Sequence, residues 1–256
     1  MKTLGKLDLT TLQPVAQTLP YPPLFITISG AHLYGFPSPD SDVDLRGAYV
    51  LPLRAVLGLD APEETITQQF ERDGREMDLV AHDVAKFLRL LLKKNGYVLE
   101  QIYSPLVVQG EAAFEELRVL ARGAITRHVY HHYAGFARNK LKEFEDESPR
   151  QVKTLLYVFR VLLTGVWLLQ TGEVEANLLH LNRTFRLPFI PNLIAQKSKE
   201  RAVLNEADLP VYRQAIARLK AQLETAFAET TLPDAPVNRG ALNDFLVRVR
   251  LEYDRG

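Results

Sequence analysis

Three aspartates, Asp40, Asp42 and Asp44, fall within five positions in the stretch PSPDSDVDLRG. Like charges held this close raise one another's pKa and cost stability unless a cation stands between them. Asp40, between a proline and a serine, suits a capped turn. Asp42 and Asp44 alternate with Val43 and Leu45. On a strand that spacing points both carboxylates to one face, roughly 6–7 Å apart. A hard divalent ion such as Mg²⁺, which takes oxygen ligands, offsets their repulsion. REMDLVAHD supplies a third carboxylate, Asp78, which alternates with Met77 and Leu79. With its strand beside the first, Asp78 meets Asp42 and Asp44 across the ladder. Glu76 competes for that role, and Asp78 is preferred.

The elements that must hold these residues can be read from periodicity. LFITIS (24–29) is apolar, β-branched and ends at glycine, the pattern of a buried strand. Gly30 to Gly35 reads as a turn opening a short helix, and residues 42–51 as a strand with one buried and one polar side. TITQQFERDGREMDLVAHDV (65–84) holds two alternating runs joined by Asp73-Gly74, a hairpin signal. From Val84 the apolar spacing becomes helical, through Phe87, Leu88 and Leu91. Beyond it, helices are expected over 111–121, 128–145, 149–172, 207–229 and 238–253. Residues 173–206 read as irregular, with room for a mobile loop. The predicted class is α+β: a sheet domain over 1–110 and a helical domain over 111–256 that completes the cleft.

A glycine turn between a strand and a short helix presents backbone N–H groups to an anion. Phosphates at Gly30, Ala31 and His32 would sit next to metal held by Asp42 and Asp44. SGAHLYGFPSPDSDVDLRG resembles the nucleotidyltransferase signature of the DNA polymerase β superfamily, and in detail its branch of RNA-repair-associated predicted nucleotidyltransferases. That branch reads Gly-Ser-Arg-Ala-Tyr-Gly, then Asp-Ser-Asp-x-Asp-hydrophobic-Arg-Gly. The matching positions here are Gly30 to Gly35 and Asp40 to Gly47. Residues 83–105, with Asn95 and Glu100, look like the segment that follows. The resemblance implies that Asp42, Asp44 and Asp78 bind two Mg²⁺ (or Mn²⁺) ions with a nucleoside triphosphate. It also implies transfer of NMP to a hydroxyl, with an RNA or DNA 3′-end as the preferred acceptor and a small molecule or protein side chain left open. One position departs: the signature serine is Ala31. A catalytically degenerate nucleotide-binding module is therefore the alternative.

Basic residues are candidates to complete the site. On helix 149–172, Lys153 and Arg160 lie seven apart on one flank with Tyr157 between them, a line that would suit a triphosphate; a solvated face is the plain alternative. RHVYHHYAGFARNKLK (127–142) is basic and aromatic, suited to nucleic acid. Its His128 and His132 lack a third partner for zinc. Residues 183–202 form a second basic stretch, read as a flexible acceptor-binding loop. Arg46 is expected to brace the carboxylates by ion pairing.

Composition narrows the classes. Lys+Arg (31) equals Asp+Glu (31), so bulk charge does not advertise a nucleic-acid partner, and any basic surface must be local. With no cysteine, thiolate metal sites and disulfides are excluded. The opening MKTLGKLDLTTLQP lacks a signal-peptide core, and no apolar run of membrane length is found. A soluble, cytoplasmic protein with no membrane partner is expected.

Overall fold

The computed structural model describes residues 7–198 and 202–254. Among them a 3₁₀ turn, Leu9–Leu12, leads into helix α1 (Gln13–Ala16) and strand β1 (Pro23–Ile28). Helix α2 (Gly30–Tyr34), strand β2 (Val43–Tyr49) and helix α3 (Leu53–Leu57) follow. Strands β3 (Thr65–Arg72) and β4 (Arg75–Asp83) form a hairpin. Asp73 and Gly74 both have positive φ, 52° and 71°, as a tight primed turn requires. Next come α4 (Val84–Leu91), α5 (Gly96–Ile102), β5 (Val107–Gly110) and α6 (Ala112–Arg122). The remaining helices are α7 (Val129–Asp146), α8 (Val152–Thr171), α9 (Leu178–Phe185), α10 (Ile190–Lys197), α11 (Leu209–Glu229) and α12 (Arg239–Tyr253). The class is α+β, as expected.

The described residues divide into two compact units. The first comprises the chain up to His32, Pro39–Ala124, and the chain from Ala235 onward. Its mixed sheet has the order β3-β4-β2-β1-β5, in which β2 and β4 run parallel and the other neighbours antiparallel. Val43 and Leu45 of β2 share one core with Met77, Leu79 and Ala81 of β4, joined by Ile26, Ile28 and Val108. That shared core sets the β2–β4 register, because a slip by one residue would turn every apolar side chain outward. Fully burying a Leu, Val or Phe is worth about 1.5–3 kcal/mol, so the register is strongly specified. On another side of the sheet, Phe25 stacks on Phe114 at 4.4 Å and meets Phe87 edge-on at 5.2 Å.

The sequence reading places a boundary near Gly110, yet α6 and α12 group with the sheet. Phe114 carries α6 onto β1. Arg250 of α12 donates to Asp83 Oδ2 at 2.6 Å and to the Leu51 carbonyl at 2.8 Å, both buried. Asp83 also caps α4 through the Ala85 N–H and accepts the Leu51 N–H. Long-range polar contacts of this kind leave no periodicity in the sequence.

The second unit comprises Leu33–Ser38 and Ile125–Asp234. Its centre is α8, apolar nearly all round, ending at Gly172 in the left-handed region (φ 73°). By length and composition α8 would cross a membrane, with mean hydropathy 1.7, contrary to the sequence reading. However, 83% of that stretch is buried within the protein, the placement of a core helix. Residues 173–206, read as irregular, contain α9 and α10. Asn177 caps α9 by accepting the Leu179 and His180 N–H groups, a start signal the sequence reading passed over. The basic stretch 183–202 is therefore largely helical where described, with 199–201 outside the described residues.

Candidate active site

The β2–β4 register brings the chemistry together. Because Val43 pairs with Met77 and Leu45 with Leu79 toward the core, Asp44 must pair with Asp78 on the opposite face. Arg46, two residues on, bridges them. Its Nη2 donates to Asp44 Oδ1 and Asp78 Oδ2, each at 2.7 Å. Its Nη1 donates to the Leu45 carbonyl at 2.9 Å and the Asp78 carbonyl at 2.5 Å. The expected brace is thus present, and a guanidinium offsets the repulsion of the two acids. Asp78 Oδ1 is buried and has no hydrogen-bond partner among the described residues.

The glycine turn lies against the same pair. Ser29 leaves β1 and donates its N–H to the Asp44 carbonyl at 2.8 Å. Gly30 has φ 59°, and a Cβ built there would stand 1.7 Å from Asp44 Oδ2. Glycine is required twice over: for the backbone conformation and for the close approach of the carboxylate. Ala31 is buried and His32 half-buried. The turn and Asp44, inferred separately from sequence, are in van der Waals proximity.

Asp42 is set apart. It precedes β2 and is exposed, as is Asp40. Asp42 and Asp78 line one open cavity of about 320 Å³ on the sheet unit, together with Gln69, Glu71 and Glu76. Glu76, the rival third carboxylate, shares this cavity but is not in register with Asp44. Lys153 and Arg160 do not form a common surface. Lys153 is exposed, whereas Arg160 is fully buried with its guanidinium 3.9 Å above the ring of Tyr34. Burial follows from the width of the apolar face of α8, which includes the position the sequence reading assigned to a polar flank. Lys197, also buried, donates to Ser38 Oγ at 2.9 Å. Its position in a stretch read as a loop concealed it.

Do these residues fit a divalent ion? Among the described residues no three His, Asp or Glu side chains close on one point. Mg²⁺ does not need such a cage, since it is usually held by one or two carboxylates plus waters and substrate phosphates. A hard oxygen donor set, a buried carboxylate oxygen without a partner and a glycine cradle beside Asp44 fit that mode.

A strand, a glycine turn and in-register strand carboxylates define a protein of the polymerase β nucleotidyltransferase class. The chain belongs to the RlaP family, the RNA repair pathway DNA polymerase beta family, which matches residues 5–248. It is 37% identical over 159 residues to Uncharacterized protein MJ0002 of Methanocaldococcus jannaschii, covering 60% of this chain and 63% of that protein. It is 28% identical over 148 residues to Uncharacterized protein YcgL of Bacillus subtilis, covering 57% and 56%. The match thus spans less than two thirds of the length of these relatives. A crystal structure of a nucleotidyltransferase-like protein from Exiguobacterium sibiricum aligns over 94% of this chain and 78% of its own, with 13% identity and a TM-score of 0.33.

Proposed function

We propose that the protein transfers NMP from a nucleoside triphosphate to a hydroxyl acceptor, an RNA or DNA 3′-end, with release of pyrophosphate. The observation that carries this reading is the in-register Asp44–Asp78 pair lying against the Gly30 turn. Asp44 and Asp78, with Asp42 from the adjoining cavity, would hold two Mg²⁺ or Mn²⁺ ions. When bound, such ions would neutralise the polyphosphate and lower the pKa of the acceptor hydroxyl. Gly30, Ala31 and His32 orient the triphosphate through backbone N–H groups, so that the acceptor oxygen faces the α-phosphorus in line. The new O–P bond forms as the bond to the bridging oxygen of the β-phosphate breaks. Asp78 stands to take the hydroxyl proton. Arg46 keeps Asp44 and Asp78 aligned. Arg160 acts as a positioning residue, packing Tyr34 at the exit of the turn. Lys153→Ala, in a nucleotide-binding assay, reports whether α8 contributes to the triphosphate.

Ala31 favours a second reading, a module that binds nucleotide without turnover, because the methyl cannot replace a serine hydroxyl donor. Incubation with each labelled NTP and Mg²⁺ or Mn²⁺, with and without RNA, separates the two. Pyrophosphate release that depends on metal and acceptor, and is lost in Asp44→Ala and Asp78→Ala, supports the transferase. Tight NTP binding with no release under any condition supports the module.

A further inference from the structure

The second unit carries a cavity that the reaction above does not use. It is about 210 Å³, and α7, α8 and α11 line it. Its floor is apolar, formed by buried Val158, Leu162, Ile216 and Leu223. Ala134, small and half-buried on α7, leaves the space open. Tyr130 forms one wall. Its ring stacks on Phe227 at 4.4 Å and 18°, and Arg127 holds Phe227 in place, with its guanidinium 4.9 Å from the ring and Nη2 donating to the Phe227 carbonyl at 2.6 Å. Arg138, Lys220 and Glu224 stand exposed at the rim.

We propose that this cavity holds one unpaired nucleotide of a single-stranded nucleic acid. The inference rests on the nucleic-acid acceptor reading and adds a second point of contact for that strand. Size, shape and charge each favour this occupant. A cavity of roughly 150 Å³ already accepts a benzene ring, so there is room here for a heterocyclic base. A braced aromatic wall over an apolar floor is what base stacking requires, and it tolerates any base. Two rim cations match the phosphate on either side of that base, and Glu224 can accept from an exocyclic amine.

The test is fluorescence anisotropy with a labelled RNA 12-mer at several salt concentrations, on wild type, Tyr130→Ala, Tyr130→Phe, Ala134→Leu and Arg138→Ala/Lys220→Ala. Thermal melting confirms that each variant is folded. Tyr130→Ala should weaken binding at least about fivefold, while Tyr130→Phe, which keeps the stack, should bind like wild type. Ala134→Leu fills the space and should mimic Tyr130→Ala without lowering the melting temperature. The double charge variant should flatten the slope of log K against log salt by about 1.4. Unlabelled single-stranded DNA competing as well as RNA assigns the site to either strand, and weaker competition assigns it to RNA; both keep the site. Equal competition by duplex RNA overturns it, because a paired base cannot enter. Wild-type binding of RNA that all four variants retain overturns this site alone. No binding by wild type of either the RNA 12-mer or the same single-stranded DNA, labelled, overturns both this inference and the acceptor reading.

Discussion

Two arginine–aspartate pairs sit on β4, one at its last residue and one in its middle, and they differ in kind. Arg250–Asp83 is closed: the side chains are 9% and 1% exposed, and both Asp83 oxygens have partners. Arg46 with Asp44 and Asp78 is open: the side chains are 19%, 19% and 26% exposed, and Asp78 Oδ1 lacks a partner among the described residues. A saturated buried pair holds structure together. An unsaturated one beside a glycine turn leaves ligand capacity over, and that surplus separates the candidate site from the scaffold.

The largest expected effect lies at the closed pair. Arg250→Met strands a buried carboxylate and should cost about 3–5 kcal/mol in chemical denaturation, with or without Mg²⁺. At the open pair, Asp44→Asn or Asp78→Asn should lower metal-dependent pyrophosphate release at least about 100-fold, or about 2.7 kcal/mol of barrier. Arg46→Met should cost about 1–3 kcal/mol in EDTA, and millimolar Mg²⁺ with NTP should recover part of it. Recovery at Arg46 and none at Arg250 would sharpen the contrast; equal behaviour would break it.

A smaller effect concerns His82 on β4, whose pKa is lowered from 6.5 by burial, then by Lys86 and Arg46. Protonation therefore favours the unfolded chain. The stabilisation is complete above the unfolded value of about 6.5 and is lost as pH falls through the lower folded value. Melting temperature should drop more steeply with acidification between those two values in wild type than in His82→Gln. The smallest effect is a gain: Ala31→Ser should raise NTP affinity about two- to tenfold, the worth of one neutral hydrogen bond, by calorimetric titration.

The sheet and the Asp44–Asp78 pairing were legible because alternation and turn chemistry are local. The Asp73-Gly74 hairpin, the two faces of β2 and the Asp44–Asp78 meeting all follow from period-two patterns that share one core. The helices 111–121 through 238–253 were legible from their 3.6-residue period. Three things were not. The return of α12 to the sheet depends on Arg250 finding Asp83 across 167 positions, which no window contains. Helices α9 and α10 lie in a stretch whose basic residues drew the reading, although Asn177 and Pro191 mark their starts. The burial of Arg160 depends on aromatic partners, Tyr34 and Phe136, from distant segments.

The central claim is that Asp44 and Asp78 hold a divalent ion with nucleotide. The direct measurement is electron paramagnetic resonance of Mn²⁺ titrated with protein, with and without a non-hydrolysable NTP analogue. The account predicts that, beyond the Mn²⁺ that the nucleotide chelates by itself, wild type takes up further Mn²⁺ in its presence, whereas Asp44→Asn and Asp78→Asn do not. Equal Mn²⁺ uptake by wild type and both variants would contradict it.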